Sequence, residues 1–511
     1  MNSQLGPADA AFGSAAPPNA HALVQVNGLR PQARVDRPVI IQGGMGIGVS
    51  SWQLAGAVGR AGGLGVVSGV ALDTILARRL QDGDPDGHLR RALAQFPDPE
   101  VAESVLARYF IAGGRREGRP YRPVPHLTLQ PHADWIRLAV ASAFVEVYLA
   151  KEAAAGGSVG INFLEKIQLA TPAAAYGAML AGVDFVLVGA GIPVRMPWLL
   201  DTLSRHEPLQ FPIDVVGAGG SRYVITLDPS ALLGPKLPAV SRPIFLAIVS
   251  SNTLATYLAR DAATRPDGFV VEGAIAGGHN APPRGTLQVD DDGEPLYGPR
   301  DVVDPGHLSE LGLPFWVAGG YGRPEQVAAA RAFGASGVQV GTAFALARES
   351  GLAPAIRQQL LANLRDEGIV VRTDVLASPT GFPFKIAQLP NTLSDPIVYE
   401  GRRRLCNLGY LRTPYVKTTG EIGYRCPAEP PVDYVRKGGE RADTVSRICL
   451  CNGLMATIGL GQLRRVGRAE PPVVTLGADL SGARVLLERH PGGWSARDVV
   501  EYLEEQPELN A

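Results

Sequence analysis

Eight short apolar runs, rich in β-branched residues and bounded by glycines or small polar residues, recur through the first two thirds of the chain. They lie at residues 39–42, 65–68, 159–163, 185–188, 244–249, 268–272, 315–318 and 337–340, and helix-compatible Ala/Leu-rich segments separate them. Continuous apolar runs, unlike alternating ones, suit strands buried on both faces, and their alternation with helices predicts parallel βα units. Eight such units predict an α/β fold closed as a (β/α)8 TIM barrel. An open doubly wound sheet is the competing arrangement.

Two stretches exceed this rhythm. Residues 70–158 hold a Leu/Ala-rich helical run after Asp73, a polar loop at 113–121 and another helix ending near Ala155, which together predict an inserted helical lid. Residues 206–242 contain Val215-Val216-Gly217-Ala218-Gly219-Gly220 and Val224-Ile225-Thr226-Leu227, the pattern of a hairpin or an extra βα element. Beyond Ser378 the periodicity fades, and residues 383–431 are dense in Pro, Gly, Arg and Tyr. The expected division is a tail at 1–34, a barrel at 35–380 containing the insertion, and a Cys-containing C-terminal module at 381–511 that ends in a helix over 495–505.

A chain of 511 residues with 46% apolar and 19% charged residues has ample material for a barrel-sized globular unit plus insertions. Forty-eight basic residues against 49 acidic ones leave a formal charge of −1, so no overall field recruits nucleic acid or an anionic membrane. Small-molecule chemistry is the default, and a homo-oligomer stays open. Residues 1–34, rich in Ala, Pro, Gly and Asn, lack the basic start and apolar core of a secretory signal and are expected as a flexible tail. No uninterrupted apolar stretch reaches the roughly 18 residues of a membrane span, and the expected location is cytoplasmic.

Three glycine-rich strand ends carry the chemistry. Ile40-Ile41-Gln42-Gly43-Gly44-Met45-Gly46 follows the first run; glycines there let backbone approach a flat ligand, and Ser50 or Ser51 can cap the next helix. Val317-Ala318-Gly319-Gly320 and Gly341-Thr342 close the seventh and eighth runs, where this fold builds its phosphate site. Glu272-Gly273-Ala274-Ile275-Ala276-Gly277-Gly278-His279 follows the sixth. A histidine titrating near neutrality at the barrel mouth suits removal of a proton beside an electron-withdrawing group, and His279 is the catalytic candidate. Against this stands the plainer reading of ligand-free turns and a solvated loop histidine.

Taken together, Gln42-Gly43-Gly44-Met45, Ala61-Gly62-Gly63-Leu64-Gly65, Gly160-Ile161-Asn162-Phe163, Ala276-Gly277-Gly278-His279, Val317-Ala318-Gly319-Gly320 and Gly337-Val338-Gln339-Val340-Gly341-Thr342 resemble the nitronate monooxygenase, or 2-nitropropane dioxygenase, family over residues 35–349. Flavin-dependent enoyl-acyl carrier protein reductases are similar over the same motifs. The resemblance implies an FMN barrel in which Gly43, Gly44 and Met45 line the flavin ring, Asn162 hydrogen-bonds it, and Gly319, Gly320, Gly341 and Thr342 hold its phosphate, with Gln339 nearby. Glu272, Gly277 and Gly278 count among the implied cofactor contacts, and His279 would act as base toward a nitroalkane or help bind a nitronate. The implied activity is oxidation of a nitronate with O2. The alternatives are NAD(P)H-dependent reduction of an enoyl thioester and a non-catalytic flavin-binding partner protein. Gly44 and Gly46 around Met45 read closer to the reductases, and Asn280-Ala281-Pro282-Pro283-Arg284-Gly285 departs from the family's usual continuation.

All four cysteines, Cys406, Cys426, Cys449 and Cys451, fall in the last quarter of the chain. Four thiolates in turn-rich sequence can hold Zn2+ or an iron–sulfur cluster, but no short CxxC pair is present, and buried structural thiols are the competing reading.

Overall fold

The computed structural model describes residues 37–366, 368–464 and 469–506; the expected tail at 1–34 lies outside the described residues. The eight apolar runs become eight parallel strands: Ile40–Gln42, Gly65–Ser68, Val159–Leu164, Phe185–Gly189, Ile244–Val249, Gly268–Glu272, Phe315–Ala318 and Gly337–Val340. From the second to the eighth, each pairs with the next in the chain, and the eighth pairs with the first. Leu64 completes the circle. Gln42 N–H donates to its carbonyl at 3.0 Å and its own N–H donates to Ile40 O at 2.9 Å, joining the first strand to the second in a parallel bridge. The result is a nearly closed (β/α)8 barrel, its seam between the first and second strands held by this one bridge.

Close contact between layers depends on missing side chains. A Cβ at Gly65 would sit 1.8 Å from the carbonyl oxygen of Ala55, on the helix Trp52–Arg60 that packs on the second and third strands. Only glycine admits that approach.

The longest helix, Ala133–Ala154, packs between Trp52–Arg60 and Thr171–Leu180 and is therefore the barrel's own second helix rather than part of a lid. Its apolar residues lie on nearly every face because neighbours cover it from several sides, which blurs its amphipathic signal. The inserted material is the preceding set, Leu72–Gln81, His88–Leu93, Pro99–Tyr109 and the loop after them. The irregular stretch at 206–242 forms an antiparallel hairpin, Leu209–Ile213 with Tyr223–Leu227.

After the eighth strand the chain makes two further antiparallel pairs, Val371–Asp374 with Phe384–Ala387 and Thr413–Val416 with Ile422–Arg425. Its last helix, Ala496–Leu503, opens with a capping box between Ser495 and Asp498 and packs on Trp52–Arg60 and Pro324–Ala332. The stretch beyond residue 380 thus returns to the barrel wall, and the chain from Pro38 onward forms one compact unit. Among the described residues, no helix is long and apolar enough to cross a membrane.

Replacing Gly65 by Ala is expected to cost about 3 kcal/mol through overpacking against Ala55. Urea denaturation checks this: the midpoint should fall at unchanged slope, and an unaltered midpoint would contradict the packing described.

Candidate active site

All eight strands point their C-terminal ends at one mouth, and one cavity there is lined by Gly43, Gly44, Met45, Asn162, Glu272, Gly277, Gly278, His279, Gly319, Gly320, Gln339, Gly341 and Thr342. The candidate catalytic residue and all the candidate cofactor contacts therefore line one cavity. Of the four cysteines, Cys451 alone joins them.

The first loop is held from beneath. Fully buried Gln42 accepts from Val66 N–H at 3.0 Å and donates to Ser50 Oγ at 2.7 Å and to the Gly43 carbonyl. Ser50 Oγ in turn accepts from Met45 N–H at 2.9 Å and donates to Gly43 O at 2.9 Å, which uses its whole bonding capacity. Ser51, not Ser50, caps the following helix, accepting from Leu54 N–H at 3.3 Å. A Cβ at Gly44 would come within 2.3 Å of the Asn162 Cβ, so only bare backbone fits between that strand and the cavity. Gly319 and Gly320 have φ of 88° and 80°, left-handed conformations that turn the seventh strand's end around the cavity.

The segment beyond the barrel supplies the opposite wall. Gly278 N–H donates to Thr475 Oγ1 at 2.8 Å, and Gly477 N–H donates to Thr342 Oγ1 at 2.9 Å. Asp479, Gly482 and Ala483, at the start of helix Ser481–Arg489, also line the cavity. These residues escaped the sequence reading, although Val473-Val474-Thr475-Leu476-Gly477 repeats the apolar-run-then-glycine pattern of the barrel strands.

His279 stands with Nε2 2.7 Å from Ser378 Oγ and its ring edge-on to Phe384, centroids 4.8 Å apart. Burial, aided by Lys166, pushes its pKa down from 6.5 to about 4, so the ring is neutral at physiological pH rather than titrating there. Burial pushes the Glu272 carboxyl up to about 8, so it is protonated at neutral pH.

Among the described residues, no group of three or more His, Cys, Asp or Glu is placed to hold a metal ion, which corrects the expectation of Zn2+ or an iron–sulfur cluster at Cys406, Cys426, Cys449 and Cys451. All four are free thiols. Cys406 and Cys426 lie close enough to shift each other's thiol, Cys406 downward and Cys426 upward. Cys449 is the N-cap of helix Leu450–Thr457 and Cys451 lies in its first turn, and both are near enough to Cys426 to act on its thiol electrostatically. Cys449 accepts from Asn452 Nδ2 at 3.4 Å, while Cys451 faces the cavity.

Folded and unfolded states differ in the pH at which His279 takes its proton. The unfolded chain protonates it below about 6.5 and the folded chain only near 4, so stability present above 6.5 is lost as pH falls to 4. The loss amounts to about 3 kcal/mol. Denaturation of wild type and His279→Gln across that window should show this component in the wild type alone; parallel profiles would contradict the buried neutral imidazole.

Comparisons with known proteins bear on what such a cavity serves. Residues 239–377 match the family model described as nitronate monooxygenase. A probable nitronate monooxygenase from Staphylococcus haemolyticus is 35% identical over 112 residues, covering 22% of this chain and 29% of that protein. A (3aS,4S,5R,7aS)-5-hydroxy-7a-methyl-1-oxo-octahydro-1H-indene-4-carboxyl-CoA dehydrogenase from Rhodococcus jostii is 28% identical over 179 residues, covering 35% of this chain and 43% of that protein. Both matches span less than half the length of these curated relatives. Among solved structures, a nitroalkane oxidase from Streptomyces ansochromogenes is similar over 91% of this chain and 94% of its own, at 18% identity and a TM-score of 0.42.

Proposed function

We propose that this chain, whose residues 239–377 match the family model described as nitronate monooxygenase, is an FMN-dependent oxidoreductase that oxidises an alkyl nitronate or a similar carbanion with O2 at the barrel mouth. The observation that carries the reading is the convergence of His279 and every glycine-rich strand end on one cavity.

The residues present fit the cofactor. Gly43 and Gly44 offer a floor without side chains, as a flat ring requires, and a Cβ at Gly44 would fill the space already taken by Asn162. Gln339 Oε1, beside Gly43, is buried without a hydrogen-bond partner among the described residues, an acceptor suited to an N–H on the ring edge. Gly319, Gly320, Gly341 and Thr342 would hold the phosphate together with the N-terminal end of helix Ser481–Arg489. FMN, when bound, supplies the electron-accepting chemistry.

The protein's own task is orientation and charge management. A neutral imidazole with its pKa near 4 takes a proton from a weak carbon acid only uphill, by about 1.4 kcal/mol for each unit of mismatch. A substrate that arrives already ionised avoids that cost, which supports a nitronate over the parent nitroalkane. Glu272, protonated at neutral pH, adds no negative charge to repel such an anion and has a hydrogen to donate.

One observation favours a second reading, NAD(P)H-dependent reduction of an enoyl thioester: the Rhodococcus jostii relative is named a carboxyl-CoA dehydrogenase. Electron donors separate the two. In an anaerobic titration of the FMN-loaded protein, propane-2-nitronate should bleach the flavin absorption and NADPH should not; rapid bleaching by NADPH would transfer the assignment to the reductase. His279→Asn should lower kcat/KM by about 100-fold with flavin retained. Unchanged turnover would remove His279 from the mechanism and favour a non-catalytic flavin-binding role.

A further inference from the structure

The group that touches the His279 ring nitrogen lies outside the glycine-rich loop and beyond the family match. Ser378, the first residue after the 239–377 segment, is fully buried, with Oγ 2.7 Å from Nε2. Its backbone is pinned, since Ser378 O accepts from Arg447 Nη1 at 2.6 Å and from Gly381 N–H at 3.2 Å. Phe382 and Phe384 hold the imidazole edge-on. Thr380 completes the group: its N–H donates to Ser378 Oγ at 3.2 Å, and its Oγ1 lies 2.8 Å from the same oxygen.

Counting hydrogens decides how the chain of hydroxyls runs. A serine hydroxyl has one hydrogen and two acceptor sites, and the Thr380 N–H takes one of those sites. If the Thr380 hydroxyl donates to Ser378, Ser378 must donate to Nε2, and the imidazole hydrogen sits on Nδ1. If Nε2–H donates to Ser378, Ser378 donates to Thr380, and the Thr380 hydroxyl hydrogen has no acceptor among the described residues. Each arrangement leaves one hydrogen without a partner: in the second it is that of the Thr380 hydroxyl, which does not line the cavity, whereas in the first it is the Nδ1–H of His279, which does line it and can be met there by a ligand acceptor.

We infer that Ser378, backed by Thr380, is a positioning residue that holds His279 as its Nδ1–H tautomer, so that the ring presents a fixed hydrogen-bond donor to an acceptor oxygen of the ligand in the cavity. This deepens the proposed function and rests on it for the ligand, since a nitronate oxygen and a thioester carbonyl both present such an acceptor. Nδ1 itself makes no hydrogen bond among the described residues, and His279 lines the cavity. The arrangement differs from a general-base role, in which Nδ1 would offer a lone pair.

The test reads the tautomer directly. Full-length protein labelled with 15N-histidine is measured at pH 7 by long-range proton–nitrogen correlation, with His279→Gln assigning the ring signals. A protonated-type Nδ1 and an unprotonated-type Nε2 are expected; the reverse pattern overturns the proposal. In Ser378→Ala the tautomer should shift toward Nε2–H, and kcat/KM should fall about tenfold, mainly in kcat, with FMN still bound. The isosteric Thr380→Val should shift the tautomer in the same direction by less, and serves if Ser378→Ala folds poorly. A tautomer unmoved in both variants also overturns the proposal. Because the spectra need no turnover, an inactive enzyme with an Nδ1–H signal counts against the proposed function alone.

Discussion

Parallel pairing governs this molecule. When eight strands run in one direction around a nearly closed barrel, every C-terminal end emerges at the same face, so residues as distant in sequence as Gly43 and Gly341 become neighbours. The bridge at Leu64 joins the first strand to the second and so completes that circle. Glycine at the strand ends then does two things at once. It allows tight turns, as at Gly319 and Gly320, and it lets the loop backbone pack closely on a neighbouring strand, as at Gly44 against Asn162.

The mouth is not finished by the barrel. Residues from the last quarter of the chain close its far side, and two hydroxyls, Thr475 and Thr342, bind backbone N–H groups across the seam. Burial of His279 at this mouth, with Lys166 nearby, favours the neutral imidazole. Catalysis by proton removal and catalysis by orientation need opposite things from a histidine, and burial at this site favours orientation.

Much of this was legible in the sequence, for a specific reason. Strands buried on both faces read as unbroken apolar runs, so all eight were found, with the third extended to Leu164 and the fourth to Gly189. His279 was legible because its glycines marked a strand end. Ser378 was not, because nothing local distinguishes a serine that meets a histidine 99 positions earlier. The helix Ala133–Ala154 read as lid because its apolar residues surround it, and that pattern shows burial without showing which neighbours bury it. The cysteines do gather, since Cys406, Cys449 and Cys451 all act on the Cys426 thiol, yet among the described residues no group of three or more is placed to hold a metal ion, and the alternative of buried structural thiols fits them.

The central claim is that the cavity at the barrel mouth is built for FMN. Its most direct test is a binding titration of the dialysed, colourless full-length chain with FMN, followed by quenching of flavin fluorescence, beside the Gly44→Val variant. Saturation at a single equivalent in the wild type, with binding abolished in a Gly44→Val variant of unchanged circular dichroism, is the result the account predicts. A wild-type chain that quenches no flavin fluorescence at any ratio would contradict it.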